Sequence, residues 1–178
     1  MKNEKGHNVM DFEKLAAARY SARKFDARPV EKEKLMKILE VGRLAPTAKN
    51  MQSQRIIAIT SPEGLEKVYR AYHCFSAPVV LVICGDQSAA CDAPTTERNM
   101  AETDATIVAT HMMLETYELG LGCTYVCAFK TEILKKELDL PENLTPYSLL
   151  PIGYPAEDCE PSERHYQRLP LEHTVKFM

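Results

Sequence analysis

Ala105-Thr106-Ile107-Val108-Ala109-Thr110-His111-Met112-Met113-Leu114 is the uncharged centre of a helix that the pattern predicts from Met100 to Leu119. Glu102 and Asp104 read as its solvated first turn, where carboxylates complement the helix dipole, and Gly120 is placed to end it with a left-handed cap. Ile107, Val108, Met112, Met113 and Leu114 cannot all share one stripe. A helix that is apolar nearly all round is buried on two sides. In a chain of 178 residues the second side is hard to supply from within, which points to a subunit interface along this helix. A large monomer core is the competing explanation.

Outward from that helix, helical and strand signals mix. Asp11–Arg19 reads as a helix with Asp11 as N-cap, and Glu31–Arg43 as an amphipathic helix with Leu35, Ile38, Leu39 and Gly42 on one face. Arg55–Thr60 is a predicted strand, followed by Ser61-Pro62, an N-cap and N1 proline for a helix to about His73. Pro78–Cys84 is a β-branched apolar run suited to burial on both faces. Asp86–Asn99, which contains Pro94, reads as a polar loop. Cys123–Phe129 and Tyr147–Ile152 are further strands, separated by a Thr131–Leu140 helix and a Pro141–Pro146 turn. The expected class is α+β, a sheet covered by helices, in one domain over residues 1–178, with residues 156–178 as an extended C-terminal arm.

Composition closes off several function classes. With 45% hydrophobic residues the chain can build a core, and a net charge of −3 lacks the broad basic footprint of nucleic-acid binding. No apolar run reaches the roughly eighteen residues of a membrane span, and the polar stretch Met1–Asn8 does not resemble a signal peptide; a cytoplasmic protein is expected. The six cysteines (Cys74, Cys84, Cys91, Cys123, Cys127, Cys159) form no C-x-x-C pair and have no histidine at zinc spacing, so they read as free thiols with no metal site. Among the five histidines, His111 reads as a core or interface residue. Phosphate-loop and dinucleotide fingerprints are missing, since Gly120-Leu121-Gly122 follows a helix and not a strand.

Two segments carry chemistry. In Arg19-Tyr20-Ser21-Ala22-Arg23-Lys24-Phe25, the i, i+2, i+4 spacing puts Arg19, Ser21 and Arg23 on one side of an extended segment, where two guanidinium forks and a hydroxyl match the oxygens of a phosphate monoester. The alternative is a solvated basic turn. In Ala45-Pro46-Thr47-Ala48-Lys49-Asn50-Met51-Gln52, amide side chains can read the edge of a flat heterocycle.

Together these segments resemble the FMN-dependent nitroreductase family, which carries Arg-x-Ser-x-Arg/Lys-x-Phe near its start and then Ala-Pro-Ser-x-x-Asn-x-Gln. The same order continues in Glu118-Leu119-Gly120-Leu121-Gly122-Cys123-Thr124-Tyr125-Val126, Leu150-Pro151-Ile152-Gly153-Tyr154-Pro155 and Arg168-Leu169-Pro170-Leu171-Glu172, so that the resemblance spans essentially the whole chain. It implies an intertwined homodimer with a central mixed or antiparallel sheet flanked by helices and two FMN molecules at the interface. The FMN phosphate would be held by the Arg19-Tyr20-Ser21-Ala22-Arg23 strip, through Arg19, Ser21 and Arg23, with Arg168 joining from the C-terminal arm. Pro46, Thr47 and Asn50 would contact the isoalloxazine or ribityl part from the partner subunit, and the backbone at Cys127 and Ala128 would face flavin N5. Hydride would pass from NADH or NADPH through FMN to an electron-poor acceptor such as a nitroaromatic or quinone, in a ping-pong cycle in which the flavin, and no side chain, carries the chemistry.

Three positions depart from the family pattern. Gln52-Ser53-Gln54 stands where many relatives read Gln-Pro-Trp, Tyr166 where a lysine often assists the phosphate, and Cys127 where glycine or glutamate is common. A flavin-binding protein with a sensing, storage or specialised non-nitro role is the alternative, and a flavin-free thiol protein using Cys123 and Cys127 a weaker one.

Overall fold

The computed structural model describes residues 11–93 and 98–178; Met1–Asn8 and Pro94, both read above, lie outside the described residues. Its sheet is built around a strand that alternation alone explains. In Val79–Asp86 every residue from Val79 to Gly85 is buried. Val79, Leu81 and Ile83 enter one core and Val80, Val82 and Cys84 the other, as the two-residue period of a strand requires.

The strands in chain order are β1 (Gln54–Ile59), β2 (Val79–Asp86), β3 (Asp92–Ala93), β4 (Arg98–Asn99), β5 (Gly122–Cys123) and β6 (Leu144–Gly153). Four of them form the main sheet in the order β1-β2-β6-β5, every pair antiparallel. One parallel bridge, Ser21 to Cys123, extends it at the β5 edge. The helices are α1 (Phe12–Ala18), α2 (Lys32–Leu44), α3 (Pro62–Ala71), α4 (Ala101–Glu118) and α5 (Thr131–Glu137). α2 and α4 cover one face through Ile38, Val108 and Met112, while α3 and α5 cover the other through Val68, Ala71 and Leu134. The result is the expected α+β class.

α4 buries Ala101, Asp104, Ala105, Val108, Ala109, Met112 and Thr116 against the sheet. On its other side Thr103, Ile107, Thr110, Met113 and Leu114 are half-buried. The helix ends as expected: Gly120 has φ 73°, its N–H donates to Tyr117 O (2.9 Å), and Leu121 N–H donates to Thr116 O (3.0 Å). α2 can lie close because Gly42 faces Met112, where a Cβ would stand 2.8 Å from both Cγ and Sδ.

The structure corrects several sequence boundaries. The strand expected over Cys123–Phe129 is only Gly122–Cys123 plus an isolated Val126–Leu149 bridge. Gly122 opposite Gly153 and Val126 opposite Leu149 set one register, which brings Thr124 opposite Pro151. A proline has no N–H to complete that pair, and the ladder breaks there. β6 begins at Leu144, inside the segment read as a turn, and carries Pro146 within it. α5 stops at Glu137, followed by Asp139 at φ 50°. The loop expected over Asp86–Asn99 contains the β3–β4 pair. Among the described residues no helix is long and apolar enough to cross a membrane.

Met112 is fully buried between α2, α4 and the sheet. Met112→Ala is therefore expected to lower unfolding free energy by about 2–5 kcal/mol in urea titrations followed by circular dichroism; a loss under about 1 kcal/mol would contradict the packing described.

Candidate functional site

The strip after α1 is laid on the edge of the sheet by backbone contacts. Ala22 N–H donates to Cys123 O at 3.0 Å, and Ala22 itself is fully buried. This approach needs Gly122, where a Cβ would come within 2.6 Å of the Ala22 Cβ. With Ala22 turned inward, the alternation of an extended chain turns Arg19, Ser21 and Arg23 the other way. Tyr20 goes with Ala22: its ring meets Tyr117 edge-on at 6.2 Å and its hydroxyl donates to Cys159 O at 3.1 Å. Burial, with smaller contributions from Cys159, pushes the Tyr20 phenol up to about 12. Tyr20 thus stays neutral and braces the strip.

The chain beyond β6 crosses over this strip. Phe25 bridges Pro155, Ala156 N–H donates to Lys24 O (3.1 Å), and the Lys24 ammonium meets Asp158 at 2.6 Å. That hydrogen bond raises the pKa of Lys24 and lowers that of Asp158. A cavity of about 270 Å³ results, lined by Ser21, Arg23, Lys24, Asp158, Cys159, Glu160 and Ser162. Beside it Arg23 and Ser162 also line an open groove with Glu163 and Arg164. Arg168 is placed differently: it is exposed, and its guanidinium donates to the carbonyls of Arg164 (3.3 Å) and Gln167 (2.8 Å). Ser162 and Arg164 were not anticipated from sequence; the run Ser162-Glu163-Arg164 gives no periodic signal that would single them out.

Cys123 leads from the strip to the second part of the site. Its sulfur lies 3.9 Å from Met113 O, and two residues on, Tyr125 OH is 3.4 Å from Thr106 Oγ1, so this segment runs back along α4. After the Val126–Leu149 bridge the chain leaves the sheet, and Cys127 and Ala128 are exposed.

The amide-rich loop sits at the other end of α4. Thr47 Oγ1 accepts from Gln52 N–H at 3.0 Å, Asn50 N–H donates to Thr47 O at 2.9 Å, and Lys49, Asn50 and Gln52 have φ of 50°, 56° and 52°. Asp104 pins the loop, taking Ala48 N–H on Oδ1 (2.8 Å) and the Ser53 hydroxyl on Oδ2 (3.1 Å). Asp104 is 1% exposed, which corrects its reading as a solvated first-turn acid. The signal was its place on the stripe with Ala105, Val108 and Met112. From Asp104 to Tyr117 α4 runs roughly 20 Å, at about 1.5 Å per residue. Strip and loop therefore lie at opposite ends of one helix.

Two guanidinium groups and a hydroxyl, with an exposed backbone segment continuing from them, are donors suited to a phosphate ester, and the amide loop at the far end of α4 presents groups suited to a flat ring. The Nitroreductase family model matches residues 16–75 and 66–154. A nitroreductase family protein from Clostridium difficile 630 is 41% identical, over 94% of this chain and 98% of that one, and its crystal structure superimposes with a TM-score of 0.90. An NADH dehydrogenase of Thermus thermophilus is 28% identical over 94% of this chain and 96% of its own length. An NADPH-dependent oxidoreductase of Staphylococcus aureus MRSA252 is 25% identical over 89% and 70%. The chain belongs to the nitroreductase family.

The thiols do not form a reactive pair. Cys123 is buried, and burial pushes it up to about 12 although the Arg19 guanidinium pulls the other way; burial does the same to Cys74 and Cys84. Iodoacetamide at about pH 8, well below those values, is expected to label exposed Cys127 in the flavin-free protein and to spare Cys74, Cys84 and Cys123 until denaturant is added. Peptide mass spectrometry reads this out, and native labelling of Cys123 at the rate of Cys127 would revive the thiol reading.

Proposed function

We propose that this NAD(P)H-dependent oxidoreductase of the nitroreductase family binds FMN as a homodimer and reduces an electron-poor acceptor such as a nitroaromatic or a quinone. The observation that carries the cofactor reading is the Ser21–Cys123 bridge, which sets phosphate-type donors beside the start of the segment leading to Cys127 and Ala128. Bound FMN supplies a centre that takes hydride from NADH or NADPH and passes two electrons to the acceptor.

The chain's residues bind and orient. Arg19, Ser21 and Arg23 hold the phosphate through charge-assisted hydrogen bonds, with Arg168 joining them from the C-terminal segment and Ser162 and Arg164 lining the adjoining groove. The backbone of Cys127 and Ala128 faces the ring at N5. Pro46, Thr47 and Asn50 of the partner subunit close on the ring. The dimer is supported by apolar surface: the outer face of α4 with Ile107, Met113 and Leu114, and Leu169, Leu171 and Phe177, which are 70%, 67% and 90% exposed.

Purified protein should be yellow, and anaerobic NADH or NADPH should bleach it until an acceptor restores the colour. Coloured protein that does not bleach at roughly millimolar NADH or NADPH would favour the flavin-binding alternative. Arg19→Ala and Arg23→Ala are each expected to weaken FMN binding by about 1.5–3 kcal/mol in fluorescence titrations of apoprotein, and unchanged affinity in both would remove the strip from the site.

Subunit sharing has its own test. If strip and loop of one site come from different chains, a hybrid dimer of one Arg23→Ala chain and one Asn50→Ala chain keeps one undamaged site. It should bind one FMN per dimer at wild-type affinity. Two weakened sites and no wild-type one would place strip and loop in the same chain.

A further inference from the structure

Asp104 takes no part in the contacts just described, yet it is a carboxylate at 1% exposure. A buried charge is costly unless it is fully hydrogen-bonded. The first turn of α4 offsets part of that cost through the helix dipole, and one loop meets the rest. Oδ1 accepts from Ala48 N–H and Oδ2 from the hydroxyl of Ser53, itself fully buried. The two donors bracket Lys49–Gln52.

What lies between them is exposed and strained. Lys49, Asn50, Met51 and Gln52 are all exposed, so side-chain burial does not hold them. Lys49 and Gln52 are nevertheless in the left-handed region, where asparagine is tolerated and other side chains are uncommon. Such a conformation persists only where its surroundings over-determine it. Here those surroundings are the Thr47 Oγ1 bond to Gln52 N–H and the two anchors on Asp104.

We propose that Asp104 is the positioning residue that holds Pro46–Gln52 in its ring-binding shape, a role that rests on the FMN reading above. Both of its oxygens are committed to the loop, so it acts through Thr47 and Asn50 and does not touch the ligand. An aspartate suits the task because it accepts at two points at once. Asparagine keeps the Ala48 bond and can donate to the Ser53 oxygen, whereas alanine leaves a buried N–H and a buried hydroxyl without partners.

The test separates the ring end of the site from the phosphate end. Apoprotein is titrated with FMN and with riboflavin, which lacks the phosphate, and inorganic phosphate is used as competitor against FMN. Asp104→Ala should weaken FMN and riboflavin by a similar factor, roughly tenfold or more, and change the visible absorption band of bound riboflavin, with phosphate competition unaltered. Arg23→Ala should weaken FMN and leave riboflavin as it was. Asp104→Asn should restore both flavins to within about threefold of wild type. Wild-type riboflavin affinity and spectrum in folded Asp104→Ala, or equal losses for riboflavin and inorganic phosphate, overturn the proposal. Should Asp104→Ala fail to fold, Ser53→Ala decides: weakened riboflavin with intact phosphate competition supports the role, and unchanged riboflavin binding overturns it. Wild-type protein that binds neither flavin overturns the FMN reading itself, a result distinct from flavin binding that ignores Asp104.

Discussion

Burial of β2 on both faces is the constraint on which the rest of the structure depends. A strand with no exposed position between Val79 and Gly85 leaves its sheet no solvent face, so helices must cover both sides. α3 and α5 take one side; α2 and α4 take the other. Of these α4 is the longest, and it reaches beyond the sheet's centre toward both ends of the candidate site: Tyr117 near one end meets Tyr20, and Asp104 near the other holds the amide loop. The same helix that closes the core thereby braces both the strip and the loop, which in the proposed dimer serve different sites.

The sheet edge adds a second constraint. Pro151 cannot complete the pair with Thr124, so β5 is short; pairing resumes once, at Val126–Leu149, before the chain leaves the sheet. A continuous ladder would have kept the Cys127 and Ala128 backbone in the sheet. Instead both residues are exposed, and Lys130 N–H then donates to Ala71 O at the end of α3. On the other side of β5, absence of a side chain at Gly122 lets Ala22 seat the strip against Cys123. A proline and a glycine, each by what it lacks, shape the two margins of the site.

Much of this was legible in sequence, because period-2 and period-3.6 patterns record burial directly. The Val79–Cys84 run, the α2 face with Ile38 and Gly42, the Ser61-Pro62 helix start and the Gly120 cap all follow from local chemistry. The alternation of Arg19, Ser21 and Arg23 around Ala22 was legible for the same reason. What was hidden depends on partners distant in the chain. Nothing near Thr124 announces that Pro151 will stand opposite it. The place of Asp104 on the buried stripe of α4 is visible in sequence, but nothing near it announces its partners Ala48 and Ser53, which lie more than fifty residues earlier. Ser162 and Arg164 gain meaning only when the tail has crossed the strip. Sequence patterns describe how a residue relates to a core, and these residues relate to one another.

The charge balance around the strip follows from the same packing. The chain carries a net charge of −3, so a site for a phosphate ester must keep its cations from being neutralised by the protein's own acids. Asp158 stands in the cavity but is held by Lys24, an exposed pair that adds little to stability and yet takes one carboxylate out of competition. The Arg19 guanidinium acts electrostatically on the Cys123 sulfur, opposing the rise that burial causes. Burial in the core keeps that sulfur protonated, with its pKa pushed up to about 12, so no thiolate neutralises Arg19 at neutral pH. Glu160 and Glu163 line the same cavity and groove as Arg23, so the pull on an entering anion is that of the guanidinium groups against this acidic background, with Asp158 already held by Lys24.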